Sequence, residues 1–194
     1  MASFFGTNLQ IVSNRVEHSS VGSANAGIEL FNIVSLGDDQ FAQIDLPVFA
    51  GIIDVRAGVA LRSNPASDYR YDVLALRNFP GGGSEHTILE KVVNGVSTNV
   101  TTESVTTWVN GDVIRLEAIG SNFRVLRNGA SLLTAVDSAI EGGGWPGIIM
   151  YVGVGGSLAD NQADNWLGGD MTPLNNFNFP KPKIRDAARA GWIA

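Results

Sequence analysis

The stretch of residues 111–140, GDVIRLEAIGSNFRVLRNGASLLTAVDSAI, constrains the fold most, because its pattern predicts three consecutive antiparallel strands. Ile114, Leu116 and Ala118 alternate with charged residues, which is the period-two pattern of a half-buried strand. Asn128-Gly129 predicts a type I′ hairpin turn, since both central residues of that turn need positive φ. Such a meander buries one face only, so it requires a second sheet to cover that face.

The rest of the chain continues the β pattern. Turn signals recur about every 8–12 residues, the spacing of a β-sandwich, and no window before residue 184 has a helical period. Further strands are expected at residues 28–34, 40–48, 52–62, 69–76, 87–93 and 96–101. We therefore expect an all-β, antiparallel jelly-roll sandwich with its core at Ile114, Leu116, Phe123, Val125 and Trp166, and with Arg115, Glu117 and Arg124 in water.

The two ends of the chain differ in composition from its centre. Residues 1–25 are predicted to form an N-terminal arm with one strand at 9–16, residues 26–170 the sandwich domain, and residues 171–194 a C-terminal arm. The last segment contains Pro173, Pro180 and Pro182, which donate no ladder hydrogen bond, so it does not continue the sheet. A short helix is expected at residues 184–190.

The C-terminal arm combines apolar and basic side chains. We expect it to dock on a neighbouring subunit or on another protein of an assembly, because so many apolar groups are unfavourable in water. Its predicted partner-binding residues are Phe177, Phe179, Lys181, Lys183, Ile184, Arg185 and Trp192. The alternative is that the arm folds back over an open sheet face of its own domain.

Several segments resemble strands of the concanavalin A-like lectin/glucanase superfamily, which includes laminin G-like jelly rolls. The run GDVIRLEAIG at 111–120, followed by Phe123 and Asn128-Gly129, is similar to the late strands of that family. Residues 147–151 and 164–169 resemble its closing strands, and residues 39–44 and 58–62 its early strands. The likeness covers residues 26–170 and implies the jelly-roll fold.

The sequence lacks the catalytic pattern that the resemblance would imply for a glucanase. Those enzymes carry Glu-x-Asp-x-x-Glu, or one residue fewer, on one strand, whereas Glu29 and Asp45 stand alone here. The two histidines, His18 and His86, are far apart in sequence, and the chain contains no cysteine, so neither a triad nor a zinc–thiolate site is indicated. We expect a protein without enzymatic activity.

Two kinds of ligand follow from the resemblance. Calcium would need the oxygen-rich residues 160–165 or Asp38-Asp39, but such stretches more often form turns, so no cofactor is predicted. A sugar would need exposed aromatic rings, for which Trp108, Trp145 and Tyr69 are candidates. Trp145, in the glycine loop 141–146, and Tyr69 are kept as candidate ligand-loop residues; that loop and loop 79–86 are otherwise expected to be connectors.

Charge and hydropathy limit the partners. A formal net charge of −6 argues against nucleic acid, and no apolar run is long enough for a membrane span. The N-terminus has no signal-peptide pattern. Domains that resemble this family also occur as phage capsid decoration proteins, and the two arms, the missing signal peptide and the missing catalytic pattern agree with that role. The resemblance therefore leads us to expect a structural virion protein made in the host cytoplasm, a phage capsid decoration or cement protein, which forms a homo-oligomer (trimer or dimer) and binds the major capsid protein or another virion protein. The alternative is a carbohydrate-binding, lectin-like module of a tail fibre or a secreted protein, with glycans as ligands.

Overall fold

The computed structural model of the chain describes residues 2–5, 9–20, 27–30, 35–50, 54–64, 66–77, 85–103, 107–154 and 156–171. These residues form strands and one turn of 3-10 helix at Leu158–Asp160, with no α-helix among them. Within the same residues, no helical segment has the length and apolar character of a membrane span. The strands are β1 (Ala2–Phe5), β2 (Leu9–Val12), β3 (Arg15–His18), β4 (Gly27–Leu30), β5 (Gln40–Phe49), β6 (Val55–Asn64), β7 (Tyr69–Arg77), β8 (His86–Val93), β9 (Val96–Glu103), β10 (Asp112–Ile119), β11 (Asn122–Arg127), β12 (Ala130–Val136), β13 (Trp145–Val152) and β14 (Asn161–Asp170).

The strands form two seven-stranded antiparallel sheets that face each other. Sheet A has the order β1-β4-β13-β6-β7-β8-β9, and sheet B the order β12-β11-β10-β5-β14-β3-β2. Alternate residues of both sheets point inward into one apolar core, as expected from the period of a strand. The predicted all-β jelly-roll sandwich is therefore confirmed.

The central meander forms as the sequence predicts. β10, β11 and β12 pair in order, so that Leu116 lies opposite Val125, which in turn lies opposite Leu133. Asn128 and Gly129 have φ values of 51° and 79°, as the type I′ turn requires. The four core residues predicted on this meander, Ile114, Leu116, Phe123 and Val125, are all buried.

The prediction that Trp166 is a fully buried core residue is wrong. Its side chain is only partly buried and packs against the edge of the core. The reason lies in β14, whose pairing with β5 shifts register between Asp164 and Leu167 around Asn165, a residue with a φ of 49°. This irregularity breaks the alternation that the sequence pattern assumes.

The N-terminal residues contribute to both sheets. In place of one strand at 9–16, residues 9–18 form the hairpin β2–β3, which pairs with β14, while β1 pairs with β4. Residues 172–194 lie outside the described residues. The predicted helix at 184–190 and the partner-binding residues Phe177, Phe179, Lys181, Lys183, Ile184, Arg185 and Trp192 therefore stay predictions.

Two glycines bring the loop before β13 against the backbone of other segments. Gly144 forms an isolated bridge with Leu36, and their amides and carbonyls pair at 3.0 and 3.2 Å. A Cβ atom on Gly143 would lie 1.9 Å from the Leu36 carbonyl oxygen, so a side chain does not fit there. The expected connector at 141–146 is thus a packed part of the sandwich.

Truncation of a core residue on the meander tests the assignment of its inner face. Leu116 is completely buried between the sheets. We expect Leu116→Ala to lower the free energy of unfolding by about 2–5 kcal/mol, because it leaves a cavity in the core. Urea denaturation measures this change. A loss below about 0.5 kcal/mol, the range of surface substitutions, would contradict the assignment.

Candidate functional site

Arg62 holds together one end of the sandwich. It lies at the end of β6 with a φ of 52°, and only 3% of its surface is exposed. Its guanidinium donates hydrogen bonds to the carbonyl oxygens of Asp38 at 2.9 and 3.1 Å and of Ile140 at 3.0 Å, and also to that of Gly120. Three loops therefore converge on one buried cation.

A small pocket of about 330 Å³ lies beside Arg62. Its walls come from the loop before β5, the β10–β11 turn and the loop after β12, through Asp38, Arg62, Gly120, Ser121, Ser138, Glu141 and Gly142. Glu141 and Gly142 belong to the glycine loop that the sequence analysis expected to be a connector. The β10–β11 turn separates this pocket from a larger cavity.

The larger cavity, of about 550 Å³, lies on the outer face of sheet B, and we call it the β11 groove. It is lined by Glu117, Ile119, Asn122, Phe123, Arg124, Thr134, Ala135 and Val136. Strand pairing arranges its outward-facing residues in two rows that run across β10, β11 and β12. The first row consists of Glu117, Arg124 and Thr134, and the second of Ile119, Asn122 and Val136. One row is polar and the other is largely apolar.

The carboxylate of Glu117 is held by two arginines. Arg115 Nε donates to Glu117 Oε1 at 2.8 Å, and Arg124 donates to Oε2 through Nε at 2.8 Å and through one terminal nitrogen at 2.5 Å. Arg115 also stacks on the ring of Phe41 at 3.8 Å. The side chain of Glu117 is 7% exposed, so the prediction that it lies in water is wrong.

The side chain of Arg124 differs from that of Glu117 because it is 51% exposed. Its two contacts with Glu117 use Nε and one terminal nitrogen, so the edge formed by its two terminal nitrogens has no partner in the described part of the chain. The guanidinium is held by Glu117 on one side, and its other side is accessible to solvent. This combination is typical of a preorganised binding group.

The outer face of sheet A carries a second group of charged side chains. Asp72 on β7 and Glu90 on β8 are direct cross-strand neighbours. Arg70 donates to Asp72 Oδ2 and to Asp68 Oδ1, both at 2.7 Å, while Asp72 Oδ1 is buried and has no hydrogen-bond partner among the described residues. Burial raises the pKa of Asp72 to about 7. The negative charges of Glu90 and Asp68 also raise this pKa, whereas the positive charge of Arg70 lowers it.

The aromatic residues that the sequence predicts as ligand contacts do not meet at one site. Trp108 is buried and donates from Nε1 to Thr87 Oγ1 at 3.0 Å, so it offers no ring face to a sugar. Tyr69 is partly buried against the core, and Trp145 begins β13 and packs on the apolar cluster of sheet A's outer face. None of the three lines the β11 groove.

The oxygen-rich stretch 160–165 is used for local structure. Asn161 Nδ2 donates to the carbonyls of Arg56 and Tyr151, and Asn165 Nδ2 donates to Asp45 at 2.7 Å. Asp39, the other calcium candidate, accepts a hydrogen bond from the Gly120 amide. Among the residues that the structure describes, no three His, Asp or Glu side chains form a group able to hold a metal ion.

Comparisons with known proteins place the fold. No family model and no curated protein matches the sequence. Among solved structures, the carbohydrate-binding module CBM66 from Bacillus subtilis is similar, with a TM-score of 0.64 and 16% identity over 85% of this chain and 92% of that one. A protein of unknown function with a galectin-like fold from the same organism has a TM-score of 0.63 and 10% identity, over 84% of this chain and 86% of that one. The β-glucanase of Bacillus licheniformis has a TM-score of 0.54 and 11% identity, over 83% and 81%.

The chain has a galectin-like, concanavalin A-like jelly-roll fold. At these identities the comparisons show the fold alone, because one fold hosts many functions. The resemblance of its strands to the lectin/glucanase superfamily is confirmed at that level. The ligand and the chemistry have to be argued from the groove itself.

The buried carboxylate of Asp72 predicts how stability depends on pH. A folded-state pKa of about 7, above the usual value near 4, means that the folded protein binds this proton more tightly than the unfolded chain does. The stabilisation is present at low pH and is lost as the pH rises to about 7. We expect Asp72→Asn to reduce this slope and to raise the free energy of unfolding at pH 8 by roughly 1–4 kcal/mol. Urea denaturation at pH 5 and 8 measures both; an unchanged slope would contradict the assignment.

Proposed function

We propose that this chain is a non-catalytic carbohydrate-binding domain whose ligand lies in the β11 groove. The observation that carries the proposal is the groove's composition: an apolar row and a polar row, side by side, in a cavity of about 550 Å³. Ligand sites of this size combine apolar walls with a few placed polar groups. The same combination matches a sugar, whose ring has apolar C–H patches and a rim of hydroxyls.

The apolar row supplies a surface for the sugar ring. Ile119 is 49% exposed and Val136 is 72% exposed, so both are accessible although aliphatic. Exposed aliphatic groups beside polar ones are typical of binding sites when they form a patch. Covering these two side chains with a ligand removes apolar surface from water, which favours binding.

The polar row supplies hydrogen bonds of fixed direction. Arg124 donates and Thr134 both donates and accepts, while Asn122, in the neighbouring row, adds an amide that does both. Glu117 holds Arg124 in place, so little side-chain entropy is lost when a ligand binds. The ion pair itself contributes little stability, because Arg124 is half exposed to solvent. Its main effect is orientation.

The structural comparisons support a carbohydrate ligand. The similar proteins include a carbohydrate-binding module, galectins and β-glucanases by their descriptions. They fit the lectin-like alternative of the sequence analysis better than its first expectation, a structural virion protein.

Two features support binding without cleavage. A glycosidase uses two carboxyl groups on either side of the scissile bond, whereas Glu117, the carboxylate of the β11 groove, is held by two arginines. Asp72 and Glu90 form a cross-strand pair on the outer face of the other sheet, whereas Asp45, opposite Asp164, accepts a hydrogen bond from Asn165 and does not line the groove. Asp72 is 1% exposed and bound to Arg70, so it is not placed to reach a substrate.

A glycan array followed by titration of the best ligand tests the proposal. We expect Asn122→Ala with Thr134→Val to weaken binding roughly 10- to 30-fold, because each lost hydrogen bond is worth about 1 kcal/mol. Thr102→Val, at an exposed position of β9 in the other sheet, is the matched control and should bind normally. Equal loss in both variants, or no glycan bound at all, would overturn the proposal. Release of reducing sugar that Asp45→Asn abolishes would show that the protein is an enzyme.

A virion role is a separate proposal and is compatible with a glycan-binding domain. It rests on the sequence of residues 171–194, whose apolar and basic side chains suit a partner surface. Removing residues 174–194 should leave a folded domain that no longer forms an oligomer or sediments with virus particles. Sedimentation that persists after truncation would show that this segment does not dock on the particle.

A further inference from the structure

Two arginines beside the β11 groove share a single carboxylate. Arg56 has the carboxylate of Asp54, Arg127 has that of Asp112, and Arg70 has two carboxylates. Arg115 and Arg124 instead share the single carboxylate of Glu117. One positive charge is therefore not neutralised within this set, in a chain whose formal net charge is −6.

That charge is accessible at Arg124. Arg115 is 24% exposed and contacts the Phe41 ring, while Arg124 is 51% exposed and lines the cavity. The edge of Arg124 formed by its two terminal nitrogens points two parallel N–H groups away from its contacts with Glu117. A guanidinium edge of this kind matches the two oxygens of a carboxylate, which accept two parallel hydrogen bonds.

We propose that the ligand of the β11 groove is a glycan that carries a carboxylate, and that Arg124 binds this group through its free edge. The inference rests on the proposed function and narrows it to acidic sugars, either uronates or sialic acids. Thr134, directly opposite Arg124, and Asn122, in the next row, are placed to bind hydroxyls on the same ring. Ile119 and Val136 then contact the apolar part of the sugar.

Among the described residues that line the groove, no carboxylate other than that of Glu117 is placed to compete with a ligand for Arg124. The residues that line the groove include one acidic side chain, Glu117, and it lies beneath Arg124 with both oxygens occupied. A ligand carboxylate therefore meets the exposed side of Arg124. The planar guanidinium of Arg124 also distinguishes a carboxylate from an uncharged ester of the same sugar, because the ester is a weaker acceptor and has no charge.

The test compares ligands that differ only in the carboxylate, with the full chain as the protein. Trigalacturonate is titrated against its methyl ester, and sialyllactose against lactose, by isothermal calorimetry. We expect one acid to bind at least about 10-fold more tightly than its neutral counterpart, and the preference to fall at high salt. Which acid is preferred distinguishes uronates from sialic acids.

Variants assign the preference to the groove. Arg124→Met should remove it, and Arg124→Lys, which can still pair with Glu117 but has no planar edge, should reduce it at least about fivefold. Arg56→Met is the matched control, because Arg56 is also about half exposed and paired with a carboxylate but lies on the other sheet. It should keep the preference, and melting temperatures should show that all three variants are folded.

The outcomes separate the two proposals. Equal affinity for acid and neutral glycans would overturn the carboxylate inference while leaving glycan binding intact. A preference that Arg56→Met reduces as much as Arg124→Met does would show general electrostatic attraction, and would also overturn it. Binding of no glycan in any arm would overturn the proposed function itself.

Discussion

The contact between Arg62 and three carbonyl groups determines the geometry of one end of this molecule. A buried guanidinium is costly unless its N–H groups are satisfied, so the carbonyls of Asp38, Gly120 and Ile140 are drawn to one point. The rings of Phe123 and Tyr71 lie within 5.3 and 6.0 Å of the same group. Because Gly120 belongs to the β10–β11 turn, this one cation also positions the boundary between the small pocket and the β11 groove.

Much of the fold could be predicted from local sequence, because strands and turns depend on near neighbours. The alternation of Ile114, Leu116 and Ala118, and the turn at Asn128-Gly129, were sufficient for the meander. Trp166 was misplaced because the irregular pairing of β14 interrupts its alternation. Arg62 was not singled out, since nothing in its neighbourhood indicates a positive φ at an arginine.

The candidate site was harder to predict, because it depends on register between strands. The sequence placed Arg115, Glu117 and Arg124 on one solvent face, which is correct for the face but not for the burial of Glu117. The proximity of Asp72 and Glu90 depends on the register of β7 against β8. That register cannot be read from local sequence, because a glycine-rich segment separates the two strands. Trp108 and the other aromatic residues are candidate sugar contacts because of their ring chemistry, but the structure packs Trp108 into the core.

The hydroxyl of Tyr71 restrains the segment that follows β12. It donates to Asp137 Oδ1 at 2.5 Å and accepts from the Ile140 amide at 3.2 Å, while Lys91 binds the other oxygen of Asp137. The segment after β12 is therefore tied to sheet A by Tyr71 and Lys91 as well as by Arg62. A segment held at both ends does not act as a lid, so the ligand proposed for the neighbouring groove would enter without displacing it. For that ligand we expect diffusion and long-range charge to govern association, and the rate of departure to set the differences in affinity.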